Sequence, residues 1–369
     1  MKLYIKLICI ALSLAVSLGL GGCVTKNSYC AKTGEHSISA GMYAYQLAQQ
    51  KSSYLSQNSL TEGEETWDEE YDDTYTIGEY IQVSTLNEMV SALTWRAQFD
   101  RLELSFTEEE QKNIEDNIAE MEEASGGKEL VSKTLKEYGI SYDEFIESVY
   151  YDTQKVLKVV NYYFGKDGVE PVSESEILEY FTDNYTRCKH ILISTVDENG
   201  STFTADAMKS AKSKAQSVYE KAKKADEAAF DALMKEYNQD EGVASYPNGY
   251  VFTTGEMVDD FEKAAFDMEV GETRLIQSEY GFHIMRKLTL NDEKVFTEEI
   301  RKNMLMSLKS EEIANMFEQW REDFPIKVNR GVLKKYTCKS VNIGEDVSAA
   351  EQDQLDAIAS QLGLEEIEE

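Results

Sequence analysis

Residues 187–288 break the pattern of an otherwise helical chain, and that break decides the architecture. RCKHILI (187–193) is a short β-rich run, FHIMRKL (282–288) is another, and YPNGYVF (246–252) mixes turn residues with strand formers. Between the first two, residues 205–237 carry helical apolar spacing with Ala-rich and Lys-rich faces. This mixture predicts an α+β domain with a small sheet. Its 13 basic and 18 acidic residues leave it at −5, whereas the 369-residue chain stands at −32. The charge step marks a domain with its own composition. A chain so acidic lacks the basic footprint that nucleic-acid binding requires.

The flanks read as helices. Residues 36–55 carry Met42, Tyr45, Leu47 and Leu55 in a helical run, and residues 84–164 form successive helices. Thr107–Glu110, Ser141–Glu144 and Ser173–Glu176 fit the capping-box pattern. After Ser141, Phe145, Val149, Val156, Val160 and Phe164 follow helical spacing. On the far side Phe296, Ile300, Met304 and Leu308 recur every four residues, followed by Ile313, Phe317 and Trp320. One long helix over 295–324 is expected, and its apolar stripe must bury against something. With the central domain complete, that partner is the N-terminal set of helices. TEGEETWDEEYDD (61–73) lies in a stretch with no Lys or Arg between Lys51 and Arg96. It reads as a solvated loop; a Ca²⁺ site is the sharper alternative, without EF-hand ligand spacing.

Lys2 and Lys6 precede the apolar run Leu7–Leu20, which ends in Gly21-Gly22-Cys23. A positive start, a short apolar stretch and small residues make a secretory signal, too short for a permanent span. A Cys after the small residues resembles a bacterial lipobox, so lipidation of Cys23 and tethering to the outer face of the cell membrane are expected. An ordinary signal with an incidental Cys is the bland alternative. Loss of residues 1–22 removes two Lys and no acid, taking the charge from −32 to −34. With Cys9 lost in the signal and Cys23 acylated, Cys30, Cys188 and Cys338 remain, an odd number. A Cys30–Cys338 bridge is open to the chain, but nothing in the sequence demands it, and free buried thiols are expected. The expected organisation is a signal at 1–22, a helical domain at 23–185 with an acidic loop at 56–76, and the α+β domain at 186–289. A helical segment at 290–343 packs back on the first domain, and an acidic tail fills 344–369.

Two of the three histidines fall in the central domain, each inside a strand: His190 in CKHIL and His283 in YGFHIM. Side chains alternate along a strand, so Cys188, His190 and Leu192 share one face, as do His283, Met285 and Lys287. If the strands are neighbours, the imidazoles meet. Spacing alone leaves open a pair of core histidines that satisfy each other. No close His/Cys pairing supplies a third ligand, so neither metal nor cofactor is expected.

The ordered pieces RCKHILI, FDALMKEYNQD, GEMVDDFEKAAF, VGE and YGFHIMRKL resemble a parvulin-type peptidyl-prolyl isomerase domain over nearly all of 187–288. With a lipobox and helical arms on both sides, the chain further resembles PrsA-like foldase lipoproteins, whose helical part is related to the arms of SurA-like chaperones. The resemblance implies a parvulin-like domain inserted in a helical chaperone domain built from both ends of the chain. It implies that His190 and His283 are the paired active-site histidines and that Asp240 stands at the position held by Cys or Asp. Met257 and Phe261 correspond to the apolar proline pocket, Ser278 to a polar position before the last strand, and Cys188 to a small thiol position. The chain departs from the family at Tyr246-Pro247-Asn248-Gly249-Tyr250, where many members carry a Gly-Gly-x-Leu-Gly turn. Ser194–Thr204 lacks the basic cluster of phosphate-dependent parvulins, so an unphosphorylated X-Pro substrate is expected. The implied partners are newly exported, unfolded polypeptides and the membrane, with a homodimer left open. A holdase chaperone with a weak or inactive isomerase domain is the competing function. A solute-binding lipoprotein would need a two-lobed α/β cleft that this helix-rich pattern does not provide.

Overall fold

The computed structural model describes residues 28–60, 63, 65–197, 201–343 and 365–366. The signal at 1–22, Cys23 and nearly all of the 344–369 tail lie outside the described residues. The chain divides into two compact units, one formed by residues 1–163 and 311–369 and the other by 164–310.

The first unit opens with a hairpin that the sequence reading missed. Strands β1 (Tyr29–Thr33) and β2 (His36–Ser39) pair antiparallel. Residues 36–39, expected to begin a helix, are strand; α1 runs Ala40–Gln57. Ser39 explains the switch. Its Oγ accepts from Met42 N at 3.0 Å, capping α1, while its own N–H donates to Glu144 Oε1 at 2.6 Å. Glu144 is therefore not the reciprocal partner of Ser141: Ser141 Oγ accepts from Glu144 N, but the Glu144 carboxylate is spent on Ser39. Complete capping boxes stand at Thr76/Glu79, Thr107/Glu110 and Ser173/Glu176.

Helix α2 (Ile77–Arg101) buries Leu86, Met89, Val90 and Leu93 in a core with Met42, Tyr43 and Leu47 of α1. Then follow α3 (Glu108–Ala124), α4 (Lys128–Glu137), α5 (Tyr142–Ile146), a π-helical turn at Glu147–Tyr151 and α6 (Asp152–Phe164). Phe145, Val160 and Phe164 are buried as the spacing predicts, but the wider π turn displaces Val149 and Val156 to half-buried positions. Cys30, Cys188 and Cys338 are buried and free.

The second unit holds α7 (Glu174–Asn184), β3 (Tyr185–Ser194), α8 (Ala205–Ala222), α9 (Glu227–Tyr237), β4 (Tyr250–Thr253), α10 (Asp259–Asp267), β5 (Thr273–Gln277), β6 (Gly281–Lys287) and α11 (Glu298–Leu308). Its four-stranded sheet has the order β4-β3-β6-β5, and every neighbouring pair is antiparallel. The chain is α+β. Ile191, Ile193, Phe282 and Ile284 face α8 and α9, packing on Ala211, Ala215, Val218 and Phe230. Cys188 and Met285 face the other way, onto Phe252, Phe261, Ala264 and Ala265.

This unit is wider than the 186–289 expected, because α7 and α11 belong to it. Phe181 stacks on Phe296 with centroids 5.5 Å apart, and Arg301 Nε donates to Glu174 Oε2 at 2.9 Å. The single helix expected over 295–324 is interrupted at Lys309 (φ −103°, ψ 17°). Only its second half, α12 (Ser310–Asp323), contributes to the first unit, where Trp320 meets Trp95 edge-on at 5.2 Å and stacks near Tyr163 at 5.8 Å. After α12, β7 (Lys327–Val328) pairs antiparallel with β1 and parallel with β8 (Glu365–Glu366), and the helices α13 (Arg330–Lys335) and α14 (Ser340–Ile343) follow β7. Strands nearly 300 residues apart thus share one ladder.

Candidate active site

β3 and β6 are neighbours, and Leu192 lies opposite His283 while His190 lies opposite Met285. The two histidines are diagonal neighbours on one face, within reach of aromatic rings. Their rings lie 14° from parallel with centroids 5.3 Å apart, and Nδ1 faces Nδ1 at 3.1 Å. Both are buried, at 5% and 4% exposure.

Each outer nitrogen has a partner. His190 Nε2 lies 2.8 Å from Asp240 Oδ2, and His283 Nε2 lies 2.7 Å from Ser278 Oγ. Tyr250 Oη donates to the same Asp240 oxygen at 2.8 Å, and Gly242 N donates to Oδ1 at 2.9 Å. The hydrogen bond from His190 holds the Asp240 carboxyl well below its usual range, against the opposing effect of burial, with Tyr250 and Gly242 adding to the lowering. Burial, then the charge of His190, lowers His283 from 6.5 to about 4, with Asp240 opposing.

These states fix the protons. An ionised Asp240 only accepts, so His190 carries its proton on Nε2. With His190 neutral, its Nδ1 is a bare acceptor, His283 carries the proton on Nδ1, and His283 Nε2 accepts from Ser278. One proton added at His190 Nδ1 would reverse the His283 tautomer and turn the Ser278 hydroxyl around. Tyr250, Asp240, His190, His283 and Ser278 form one continuous polar chain in which every member is satisfied.

The apolar wall comes from α10. Phe261, 4% exposed, meets both imidazoles edge-on with centroids 5.1 and 5.3 Å away. Met257 precedes the helix in a loop gathered by one carboxylate: Glu262 Oε2 accepts from Gly255 N at 2.7 Å and Glu256 N at 3.2 Å. Cys188 is fully enclosed between Phe252, Phe261 and Met285, and burial pushes its thiol up to about 12, with Lys287 opposing. It lies in the core under the site and offers no open thiol.

Asp240 is aimed by its neighbours. β4 pairs with β3 only as far as Cys188, leaving the outer edge of Leu192–Ser194 without a strand. Asn238 and Gln239 fill it. Asn238 Oδ1 accepts from Leu192 N at 2.9 Å, Gln239 N donates to Leu192 O at 3.0 Å, and Gln239 Oε1 accepts from Ser194 N at 3.0 Å. The next residue, Asp240, is thereby presented to His190. Gly249 allows the atypical turn beyond it: its φ is +91°, and a Cβ there would stand 3.0 Å from Cys188 O.

Sequence reading missed Tyr250, Glu262, Asn238 and Gln239 as parts of the site. Tyr250 had a legible signal. It sits in the departing turn, and a half-buried carboxylate beside one imidazole has room for further donors.

A sheet of order β4-β3-β6-β5 with two histidines, an aspartate and a phenylalanine on one face defines a parvulin-type peptidyl-prolyl isomerase domain. Residues 178–289 match the family model of the PPIC-type PPIASE domain. Beyond that segment, the chain is similar to foldase proteins. It is 31% identical over 189 residues to foldase protein PrsA of Staphylococcus epidermidis, a match covering 50% of this chain and 54% of that one. It is 27% identical over 237 residues to foldase protein PrsA of Staphylococcus aureus strain Newman, covering 60% and 68%. The first match thus spans about half the length of that relative. Among solved structures, PrsA from Bacillus subtilis is similar at 22% identity and TM-score 0.26, covering 76% of this chain and 93% of that one.

Proposed function

We propose that the chain is an extracytoplasmic foldase that accelerates cis/trans isomerisation of unphosphorylated X-Pro bonds in newly exported polypeptides, held at the membrane by a lipid on Cys23. The observation that carries the catalytic reading is the unbroken run Asp240–His190–His283–Ser278 beside Phe261. Phe261 and Met257 grip the pyrrolidine ring, and Ser278 and Cys188 shape the floor around it.

Rotation about an X-Pro bond breaks no covalent bond but must overcome roughly 18–20 kcal/mol. The twisted amide has lost resonance and much of its dipole. A site walled by Phe261 and Met257 favours it over the planar, strongly dipolar ground state. The histidine pair sets a fixed polarity at the edge of that wall, with no group free to reorganise as the bond turns. A thousandfold acceleration requires about 4 kcal/mol of preference for the twisted state.

Tyr250 supports catalysis over a purely holding role, because the departing turn adds a donor to Asp240 instead of removing one. The test is protease-coupled isomerisation of a tetrapeptide with an Ala-Pro bond. Acceleration proportional to protein concentration is expected. Suppression of client aggregation without any acceleration would establish the holdase reading in its place. For the anchor, labelled fatty acid should enter the wild-type chain in cells and not Cys23→Ser; equal labelling would refute lipidation at that site.

A further inference from the structure

The helical unit contains a cavity of about 280 Å³ among β2, α1, α2, the π turn and the start of α6. That is the lower edge of small-ligand pockets, roughly 300–1,000 Å³, and suits one long side chain with its flanking backbone. Met42, Met89, Trp95 and Val156 supply the apolar wall, and Glu88 stands at the exposed mouth.

Three features make it a receptor instead of a packing defect. The acid at its floor is already compensated: Asp152 receives Arg96 Nε at 2.7 Å and Nη2 at 2.8 Å, and the same Nη2 reaches Ser148 Oγ at 2.9 Å. Ser148 belongs to the π turn, a local widening that recurs at functional sites. Glu88, by contrast, accepts only from Gln50 Nε2 at 3.0 Å and has no Lys or Arg partner among the described residues. No basic residue occurs between Lys51 and Arg96, so the α2 residues that line the cavity, from Glu88 to Trp95, include none, and Arg96 beyond them is engaged by Asp152.

We infer that this cavity binds an extended polypeptide segment through an arginine or lysine side chain, its aliphatic stem against the methionines and Trp95 and its charged head at Glu88. Unbranched thioethers adapt to varied stems, and an indole face attracts a guanidinium. A glutamate or aspartate in that place is repelled. The inference rests on the foldase reading only for the source of the polypeptide, and it concerns a site on the helical unit, not the isomerase domain.

The test uses the full chain and fluorescein-labelled decapeptides without proline, so the isomerase reading can fail or stand separately. One peptide carries a central Arg among Ala and Leu, a second norleucine and a third Glu. Anisotropy should show the Arg peptide binding at least tenfold tighter than the Glu peptide. Glu88→Gln, nearly isosteric, should weaken the Arg peptide about fivefold or more and leave the norleucine peptide unchanged. Ala92→Trp, which fills the cavity, should abolish binding of both, with circular dichroism melts showing that each variant folds. Absence of binding by any peptide, equal affinity for Arg and Glu peptides, or full binding by Ala92→Trp would overturn the inference.

Discussion

Acidification from pH 7 to 5 should loosen the isomerase sheet through His283. The ring is buried with both nitrogens engaged, and its pKa falls from 6.5 to about 4 on folding. Between those values the unfolded chain binds a proton that the folded one refuses, so stability rises with pH across that window. It is fully present above about 6.5 and is lost as pH falls toward 4. That fall in pKa corresponds to about 3 kcal/mol in full, and to about 2 kcal/mol by pH 5. Asp240 contributes with the same sign only below its ordinary 3.8, outside the window. Tryptophan fluorescence is blind to the effect, because Trp67, Trp95 and Trp320 all lie in the helical unit. Hydrogen exchange of peptides spanning 187–194 and 281–288 reads it directly. After correction for intrinsic rates, protection should fall roughly 30-fold between pH 7 and 5, and His283→Gln should flatten the dependence. Unchanged protection in the wild type, or an equal fall in His283→Gln, would refute the assignment of a neutral buried imidazole.

Three further outcomes follow from the same contacts. Tyr250→Phe removes one of the donors to Asp240 and should cost about 1.5–3 kcal/mol in sheet protection by hydrogen exchange; a loss under 0.5 kcal/mol would mean the hydroxyl is replaced by solvent. Trp320→Ala empties the aromatic cluster with Trp95 and Tyr163 and should destabilise the helical unit by about 3–5 kcal/mol, seen as a lowered urea midpoint in fluorescence. Cys30, Cys188 and Cys338 should react with a thiol reagent at least 100-fold more slowly in the native chain than in urea.

The sequence exposed what is local and periodic. His190 and His283 could be placed on strand faces because alternation is rigid, and the capping box at Thr107 is written within four residues. What stayed hidden depends on distant partners. β1 is five residues long and finds β7 nearly 300 positions later, so no window contains the pair. His36–Ser39 looked like the start of α1 because nothing nearby announced that Glu144 would occupy the Ser39 amide. The interruption at Lys309 falls within the one five-residue step of the apolar repeat, Leu308 to Ile313, a trace too slight to divide the helix until the two halves are seen to serve different cores. The π turn left a trace, the seven-residue step from Val149 to Val156, but that step also fits an ordinary helix. Tyr250 lay in the turn that departs from the parvulin pattern, and only its proximity to Asp240 gives that departure a meaning.

The catalytic account stands on the coupling of Asp240 through His190 to His283, and isomerisation of an unphosphorylated Ala-Pro peptide tests it most directly. Wild type should accelerate the reaction, and His190→Ala and Asp240→Ala should each lower kcat/KM at least tenfold while hydrogen exchange shows the sheet still formed. Full activity in both variants would contradict the account.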